Sequence, residues 1–188
     1  MKRFLSIILI ALFCAADLAA QNFAVAPALR RHVEALCDDE LDGRKAGSDG
    51  ERLAARYLYD ALAEAGVLML TDSLGQDFTI TGDGGEIRSQ NILGIVEGSD
   101  PELRDEYVVV GARYDHMGTN TLTVNGEPVV QVFPGADCNA SGVAALIEVA
   151  RMVATYRGLF RRSVIFVTPG CVPRLMLAMW PGWSGESK

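Results

Sequence analysis

Three short apolar runs, separated by segments with other periodicities, constrain the fold of this chain more than any other feature. Residues 91–96, 107–112 and 163–168 are rich in valine and isoleucine. Uninterrupted runs of this kind are typical of strands that are buried on both faces of a sheet. Residues 140–156 lie between the last two runs and repeat apolar side chains at helical spacing. This strand–helix–strand order predicts an α/β fold with a partly parallel sheet.

Further helices and loops are predicted around these strands. Residues 28–37 and 49–66 show the periodicity of amphipathic helices, and the second of them closes on a glycine. The acidic, glycine-containing segment 38–48 between them is expected to be a loop. A second loop is predicted over residues 118–134, with a small hairpin around Asn125-Gly126.

The first twenty residues predict export. Lys2 and Arg3 precede an almost unbroken apolar run, and Ala20 is the small residue that a signal peptidase requires before its cut. The run is shorter than the roughly 20 apolar residues that cross a bilayer. Residues 1–20 are therefore predicted to be a signal peptide, with cleavage after Ala16 as the alternative. The mature protein is expected in the periplasm or outside the cell, without a membrane segment.

Charge and cysteine content restrict the partners of the chain. Its 188 residues suffice for one domain and carry a net charge of −7. An acidic chain repels phosphate backbones, so nucleic acid is not expected as a partner. Removal of the signal peptide leaves Cys37, Cys138 and Cys171, an odd number. At least one thiol is therefore expected to be free, to bind a ligand or to pair with another chain.

Two polar clusters stand where a site in an α/β fold is expected. The sequence G-A-R-Y-D-H at 111–116 follows a predicted strand, and G-A-D-C-N-A-S-G at 135–142 precedes a predicted helix. Ligands of open α/β sheets bind at the carboxyl ends of strands, near helix N termini. Asp, His and Cys can all bind zinc, so a metal site is one interpretation. The other is that Asp115 and His116 face water, beside ordinary turn and cap residues. His32 is expected to be a surface residue.

These segments resemble the secreted zinc aminopeptidases of metallopeptidase family twenty-eight, the group that contains bacterial leucyl aminopeptidases and carboxypeptidase Q. Residues 108–118 are similar to the family motif V-V-x-G-A-H-Y-D-H-x-G, and residues 134–142 to P-G-A-D-D-N-A-S-G. L-D-G-R-K-A-G-S at 41–48 is similar to the family's N-terminal loop. The resemblance covers roughly residues 28–170. It implies a three-layer α/β sandwich with a mixed, partly parallel sheet, zinc as cofactor and peptides as substrates.

The ligand positions that the resemblance implies are substituted. The histidine of G-A-H-Y-D binds zinc in the family, and Arg113 stands in its place. A guanidinium has no lone pair to give to a cation. The second aspartate of A-D-D-N bridges two zinc ions in the family and is Cys138 here, a softer ligand. By resemblance, Asp115 matches the residue that orients the lost histidine. His116 and Asp137 are neighbouring candidates.

The resemblance also implies a Glu-Glu pair that this sequence lacks. The pair is expected after the strand at 163–167, where the chain has G-C-V-P at 170–173, and no histidine follows. The chain is therefore expected to be a truncated peptidase-like domain over residues 21–168, followed by an irregular tail at 169–188. No residue is predicted to be catalytic. Zinc binding is expected to be weak or absent, and hydrolysis by the family's mechanism is not expected.

Three interpretations are compatible with these residues. The chain is a truncated or frameshifted relative of the peptidases, a secreted pseudoenzyme or binding module for peptides or amino-acid derivatives, or a hydrolase with Cys138 in a rearranged metal site. Arg113 is a candidate to replace the lost positive charge, in a bidentate salt bridge with Asp137 or Asp115. An uncovered sheet edge is expected to promote self-association.

Overall fold

The structure is a computed structural model that describes residues 25–72, 75–82 and 85–171. The predicted signal peptide at 1–20 lies outside the described residues, as does the predicted tail from residue 172 onward. Within the described part, no helix has the length and apolar character needed to cross a membrane.

Three α-helices follow the predicted periodicities. Helix α1 spans residues 25–36 of the described chain, α2 spans Asp49–Glu64 and α3 spans Ser141–Thr155. Helix α2 begins after Ser48, whose side chain accepts a hydrogen bond from the Glu51 N–H and so satisfies one of the free donors of the first turn. The helix boundaries agree with the sequence prediction to within a few residues.

The strands form one mixed sheet and one separate hairpin. In chain order they are β1 (Leu68–Met69), β2 (Gln76–Gly82), β3 (Gly85–Val96), β4 (Tyr107–Gly111), β5 (Gly118–Val124), β6 (Glu127–Phe133) and β7 (Ser163–Pro169). Strand β3 pairs antiparallel with β1, β2 and β7, whereas β4 pairs parallel with β7. Helix α3 lies in the crossover from β4 to β7. The predicted α/β fold with a mixed, partly parallel sheet is confirmed.

The segment predicted as a loop at 118–134 is an antiparallel hairpin over almost its full length. Strands β5 and β6 pair from Gly118↔Phe133 to Val124↔Glu127. The predicted turn is correct, since Asn125 and Gly126 have φ angles of 54° and 88°, in the left-handed region that a two-residue hairpin turn requires. The β-branched threonines of β5 and valines of β6 supplied the strand signal that the prediction underweighted.

The helices bury one face of the sheet. Even-numbered residues of β3 and β7 belong to the same buried cluster as the apolar faces of the three helices, as expected from the alternation of side chains along a strand. Its central members are Leu36, Leu58, Leu62, Ile92, Val143, Ile147 and Phe166. This core fixes the carboxyl ends of β4 and β7, from which the candidate site is built.

Strand β4 differs from the prediction of a strand buried on both faces. Tyr107, Val108 and Val109 are 56%, 48% and 55% exposed. Among the described residues β4 pairs only with β7 and therefore forms an edge of the sheet. The apolar character of a run indicates a strand, but it does not reveal which strand lies at the edge.

His32 is buried, which corrects the prediction of a surface residue. Its Nδ1 lies 2.6 Å from the Tyr57 hydroxyl on α2, and its Nε2 lies 3.5 Å from Glu148 Oε1 on α3. Glu148 also accepts hydrogen bonds from Arg151. Burial lowers the pKa of His32, with a further contribution from Arg31. His32, Tyr57 and Glu148 thus form a network that joins the three helices.

Candidate functional site

The two polar clusters predicted from the sequence meet, and one buried guanidinium connects them. Arg44 is 1% exposed. Its Nε donates to the Tyr114 carbonyl at 2.9 Å, Nη1 to the Pro134 carbonyl at 2.7 Å and Nη2 to the Gly135 carbonyl at 3.1 Å. Nη1 also donates to the Leu36 carbonyl. Arg44 therefore holds together the end of α1 and the segments that follow β4 and β6, a role that the sequence analysis did not assign to it.

Backbone contacts complete this connection. The His116 N–H donates to the Arg44 carbonyl at 2.9 Å, and Asn139 Nδ2 donates to the Arg113 carbonyl at 3.1 Å. Gly135 has a φ of 64°, and a Cβ at this position would lie 2.6 Å from the His116 ring. Only glycine therefore fits here, and the two clusters are held at close range.

Arg113 and Cys138, which stand where the resemblance expects metal ligands, contact each other. Arg113 Nη2 donates a hydrogen bond to Cys138 Sγ at 2.8 Å, which raises the pKa of Arg113. Arg113 Nη1 lies 3.7 Å from Asp115 Oδ1. The expected salt bridge thus forms with Asp115, through one nitrogen rather than two, while Asp137 is exposed. The peptide bond between Cys138 and Asn139 is cis.

Two buried polar atoms at this site have no hydrogen-bond partner among the described residues. Asp115 Oδ1 is ion-paired with Arg113, but 3.7 Å exceeds hydrogen-bonding distance. Burial raises the pKa of Asp115, and the charge of Arg113 opposes this shift. His116 Nδ1 is the second such atom, and burial lowers the pKa of His116, followed by the charges of Arg44 and Arg113. Both atoms are shielded from solvent.

A buried carboxyl group beside the site was missed in the sequence analysis. Glu51 is fully buried and accepts hydrogen bonds from Ser89 Oγ at 2.5 Å and from the Gly47 N–H at 2.6 Å. Burial raises the pKa of Glu51 to about 7. A Cβ on Gly170 would clash with Glu51 Oε1, so β7 can end here only with glycine. The spacing from Ser48 to Glu51 is that of a capping box and could have indicated this residue.

The three cysteines of the described chain are all free thiols. Cys138 is exposed, whereas Cys37 and Cys171 are half-buried. Burial raises the pKa of Cys171, and the nearby carboxyl groups of Asp115 and Glu51 act in the same direction. The prediction that at least one thiol is free agrees with this arrangement.

The donor set of this site does not fit a zinc ion. Arg113 places a positive charge and N–H donors against Cys138, where a metal centre needs lone pairs. In the part of the chain that the structure describes, no group of three or more His, Cys, Asp and Glu side chains could hold a metal ion. The site is instead a guanidinium in contact with a thiol and a buried carboxyl group.

Comparison with known proteins identifies the fold. The search of solved structures finds the glutaminyl cyclase of Fimbriiglobus ruber, 20% identical, with a TM-score of 0.57 over 77% of this chain and 44% of that one. A leucine aminopeptidase precursor from Bacteroides thetaiotaomicron is 20% identical, with a TM-score of 0.54 over 76% of this chain and 46% of the other. A Zn-dependent exopeptidase from Parabacteroides distasonis is also 20% identical, with a TM-score of 0.53 over 76% of this chain and 45% of the other. At this identity the likeness establishes the fold.

The sequence comparison finds a family match over part of the chain. The chain spans less than half of the length of the solved structures that it matches. No curated protein matches it. The sequence profile of peptidase family M28 matches residues 91–171, which run from β3 to the residue after Gly170 and include the site around Arg113 and Cys138. The resemblance predicted from the sequence is thereby confirmed over these residues, which are similar to peptidase family M28.

Proposed function

We propose that this chain recognises peptides or amino-acid derivatives on a peptidase-like fold and does not hydrolyse them through zinc. The observation that carries the proposal is the hydrogen bond of 2.8 Å from Arg113 to Cys138, between the two positions that bind metal in the family to which the chain is similar. A fixed guanidinium here supplies positive charge without a metal ion. It cannot acidify a bound water molecule, which is the chemical task of zinc in such enzymes.

The chemistry left at the site suits binding of polar groups. Arg113 is partly exposed and can donate hydrogen bonds to a carboxylate or carbonyl oxygen. Asp115, whose Oδ1 lies 3.7 Å from Arg113 Nη1, places a carboxylate beside this guanidinium. A peptide backbone or a free amino acid offers acceptors and donors of these kinds.

The missing base supports the same proposal. Zinc hydrolases need a carboxylate to take a proton from the attacking water. In the sequence, Val172-Pro173 stands where the resemblance places the Glu-Glu pair. Glu51 is the nearest carboxyl group with a pKa near neutrality, but it is fully buried behind Ser89 and Gly170. It is therefore not positioned to reach a substrate. The apolar start of the chain at residues 1–20 supports export as the setting of this function.

The test combines metal analysis, activity and binding on the purified chain. We expect no stoichiometric zinc at neutral pH and no chelator-sensitive hydrolysis of leucyl-p-nitroanilide. Because the solved structures of this fold include glutaminyl cyclases as well as exopeptidases, cyclisation of a peptide with N-terminal glutamine is measured too. Calorimetry with a leucyl dipeptide should show binding that Arg113→Ala weakens. One tightly held zinc per chain, or turnover that a chelator abolishes, would overturn the proposal.

A further inference from the structure

A cleft outside the site described above is lined by three arginines. It has a volume of about 630 Å3 and lies between the first two turns of α2 and the β2–β3 pair. None of the residues that line it belongs to the Arg113–Cys138 site. Its charged lining residues are three arginines, Arg52, Arg56 and Arg88, and two aspartates, Asp49 and Asp77.

Two of these guanidinium groups have no partner among the described residues. Arg52 forms an ion pair with Asp49, one turn earlier on α2. Arg56 and Arg88 are exposed, and neither forms a side-chain hydrogen bond or ion pair with any described residue. A different cleft of the molecule shows the contrast, because its arginine, Arg161, is already paired with Asp100 at 2.6 Å. Within the described residues, the cleft at α2 thus offers two arginines without a neutralising partner.

Two residues that line the cleft, Ser89 and Gln90, are held by side-chain hydrogen bonds, and a third is apolar. Gln90 donates a hydrogen bond to the Tyr114 hydroxyl at 2.8 Å, and the same hydroxyl donates to the Gln90 carbonyl at 2.9 Å. Ser89 is held by Glu51. Leu53, which is 48% exposed, adds an apolar wall. Pre-ordered walls reduce the entropy that a ligand must lose on binding.

We propose that this cleft binds a peptide segment that carries carboxylate side chains. Guanidinium groups bind carboxylates through paired hydrogen bonds, and Leu53 can contact the apolar part of a peptide. A long polyanion fits less well, because the chain carries a net charge of −7 and the cleft itself contains Asp49 and Asp77. The volume lies within the range of small-ligand sites, about 300–1,000 Å3, which suits one or two residues with their side chains.

Binding of short blocked peptides to the full chain tests this proposal. The probe is a fluorescent pentapeptide with two glutamates and one leucine, with both ends blocked, and its counterpart with two glutamines is the control. Fluorescence anisotropy should show binding of the glutamate peptide alone, and the affinity should fall as salt rises, because the charges are exposed. Equal binding of the two peptides, or no binding of either, would overturn the proposal.

Variants locate the binding site. Arg56→Ala and Arg88→Ala should each weaken binding about three- to fivefold, and the double variant about tenfold or more, as exposed ion pairs do. Arg56→Lys and Arg88→Lys retain the charge without the planar fork and should give intermediate affinities. Arg104→Ala, at an exposed arginine between β3 and β4, is the matched control and should leave the affinity unchanged. An equal loss in the Arg104 variant would show non-specific attraction and overturn the assignment.

Two further measurements separate a peptide site from a phosphate site, and this cleft from the Arg113–Cys138 site. Inorganic phosphate should compete only weakly, and full displacement of the peptide at equal concentration would assign the cleft to phosphate groups and overturn the proposal of a peptide. Arg113→Ala should leave unchanged the difference in affinity between the glutamate peptide and the glutamine peptide, because Arg113 does not line the cleft. This result distinguishes the cleft from the site of the proposed function, so that either can fail without the other.

Discussion

Arg44 and Arg113 place two guanidinium groups in the same region, and their surroundings are opposite. Arg44 is 1% exposed and donates to four backbone carbonyl groups. The side chain of Arg113 is 33% exposed and contacts one thiol and, at 3.7 Å, one carboxylate. The first guanidinium has its hydrogen-bonding capacity used by the fold, whereas the second retains donors for a ligand.

The difference separates a structural role from a binding role. A buried guanidinium is stable only when its donors are satisfied, and loss of such a group leaves its acceptors without partners. A partly exposed guanidinium contributes little to folding, because water replaces its contacts at small cost. Residue type alone therefore does not decide the role, and each of the two arginines can be tested by substitution.

The largest expected effect is that of Arg44→Met on stability. This change removes the guanidinium donors from the carbonyl groups of Leu36, Tyr114, Pro134 and Gly135, of which only the last has another donor among the described residues, the Ala140 N–H. We expect a loss of about 3–5 kcal/mol in the free energy of unfolding, measured by urea denaturation. Arg113→Met is the matched control, with an expected loss below about 1 kcal/mol. Similar losses in the two variants would show that the contrast between the arginines is wrong.

The second prediction concerns the pH dependence of stability through Glu51. Its pKa in the folded chain is about 7, above its ordinary value of 4.5, because of burial. The folded state therefore binds the proton more tightly, and the stability that this supplies is complete below pH 4.5 and is lost as pH rises through 7. The change amounts to on the order of 3 kcal/mol.

Glu51→Gln removes this titration and should flatten the pH profile. Urea denaturation at pH 5 and at pH 8 gives the free energy of unfolding of wild type and variant. The difference between the two proteins is then compared at the two pH values. His32 acts in the opposite direction, because its pKa is lowered and its contribution is lost as pH falls below about 6.5. The same slope in wild type and variant would mean that Glu51 keeps its ordinary pKa in the folded chain.

The buried residues Arg44 and Glu51 were not predicted from the sequence, whereas the partly exposed Arg113 was. This difference shows what the sequence could predict. The apolar runs and helical periodicities located the helices and the three central strands, because these patterns are local. Arg113 and Cys138 were identified through the motif, in which they stand at fixed positions. The contact between them was not expected, since the prediction placed Arg113 against a carboxylate.

Residues whose role depends on distant partners could not be predicted in the same way. Arg44 was assigned to a loop, although its acceptors lie as many as 91 positions along the chain. His32 was placed on the surface because its sequence neighbours are charged, but Tyr57 and Glu148 cover it in the fold. The exposure of β4 likewise depends on which strand lies at the edge, which is a property of the topology.

The third prediction concerns a double substitution that replaces Arg113 and Cys138 with side chains that can bind metal. Arg113→His supplies an imidazole that Asp115 can orient, and Cys138→Asp supplies a carboxylate able to bridge cations. We expect the double variant to bind zinc at least about tenfold more tightly than wild type, measured by competition with a chelating dye. Hydrolysis of leucyl-p-nitroanilide should stay at background, because the sequence has no Glu-Glu pair after Gly170.

Controls for this variant follow from the geometry. Asp115→Asn in the double variant should remove most of the gain in zinc affinity, because the orienting carboxylate is lost. Each single substitution should have a smaller effect than the pair. Chelator-sensitive hydrolysis by the double variant would show that the chain supplies a base that we have not identified.

The smallest effect is expected at β4, where side chains are exposed because of the topology and not because of a ligand. Val109 is 55% exposed on a strand that pairs only with β7 among the described residues, and such an edge can pair with a second copy. Val109→Lys should reduce concentration-dependent association in sedimentation velocity and change the free energy of unfolding by less than about 0.5 kcal/mol. Val130→Lys, at a valine that is 65% exposed on β6, is the control and should leave association unchanged. If only the substitution on β6 reduces association, the hairpin and not the sheet edge joins the copies, and an exposed apolar strand in this fold cannot be equated with an association surface.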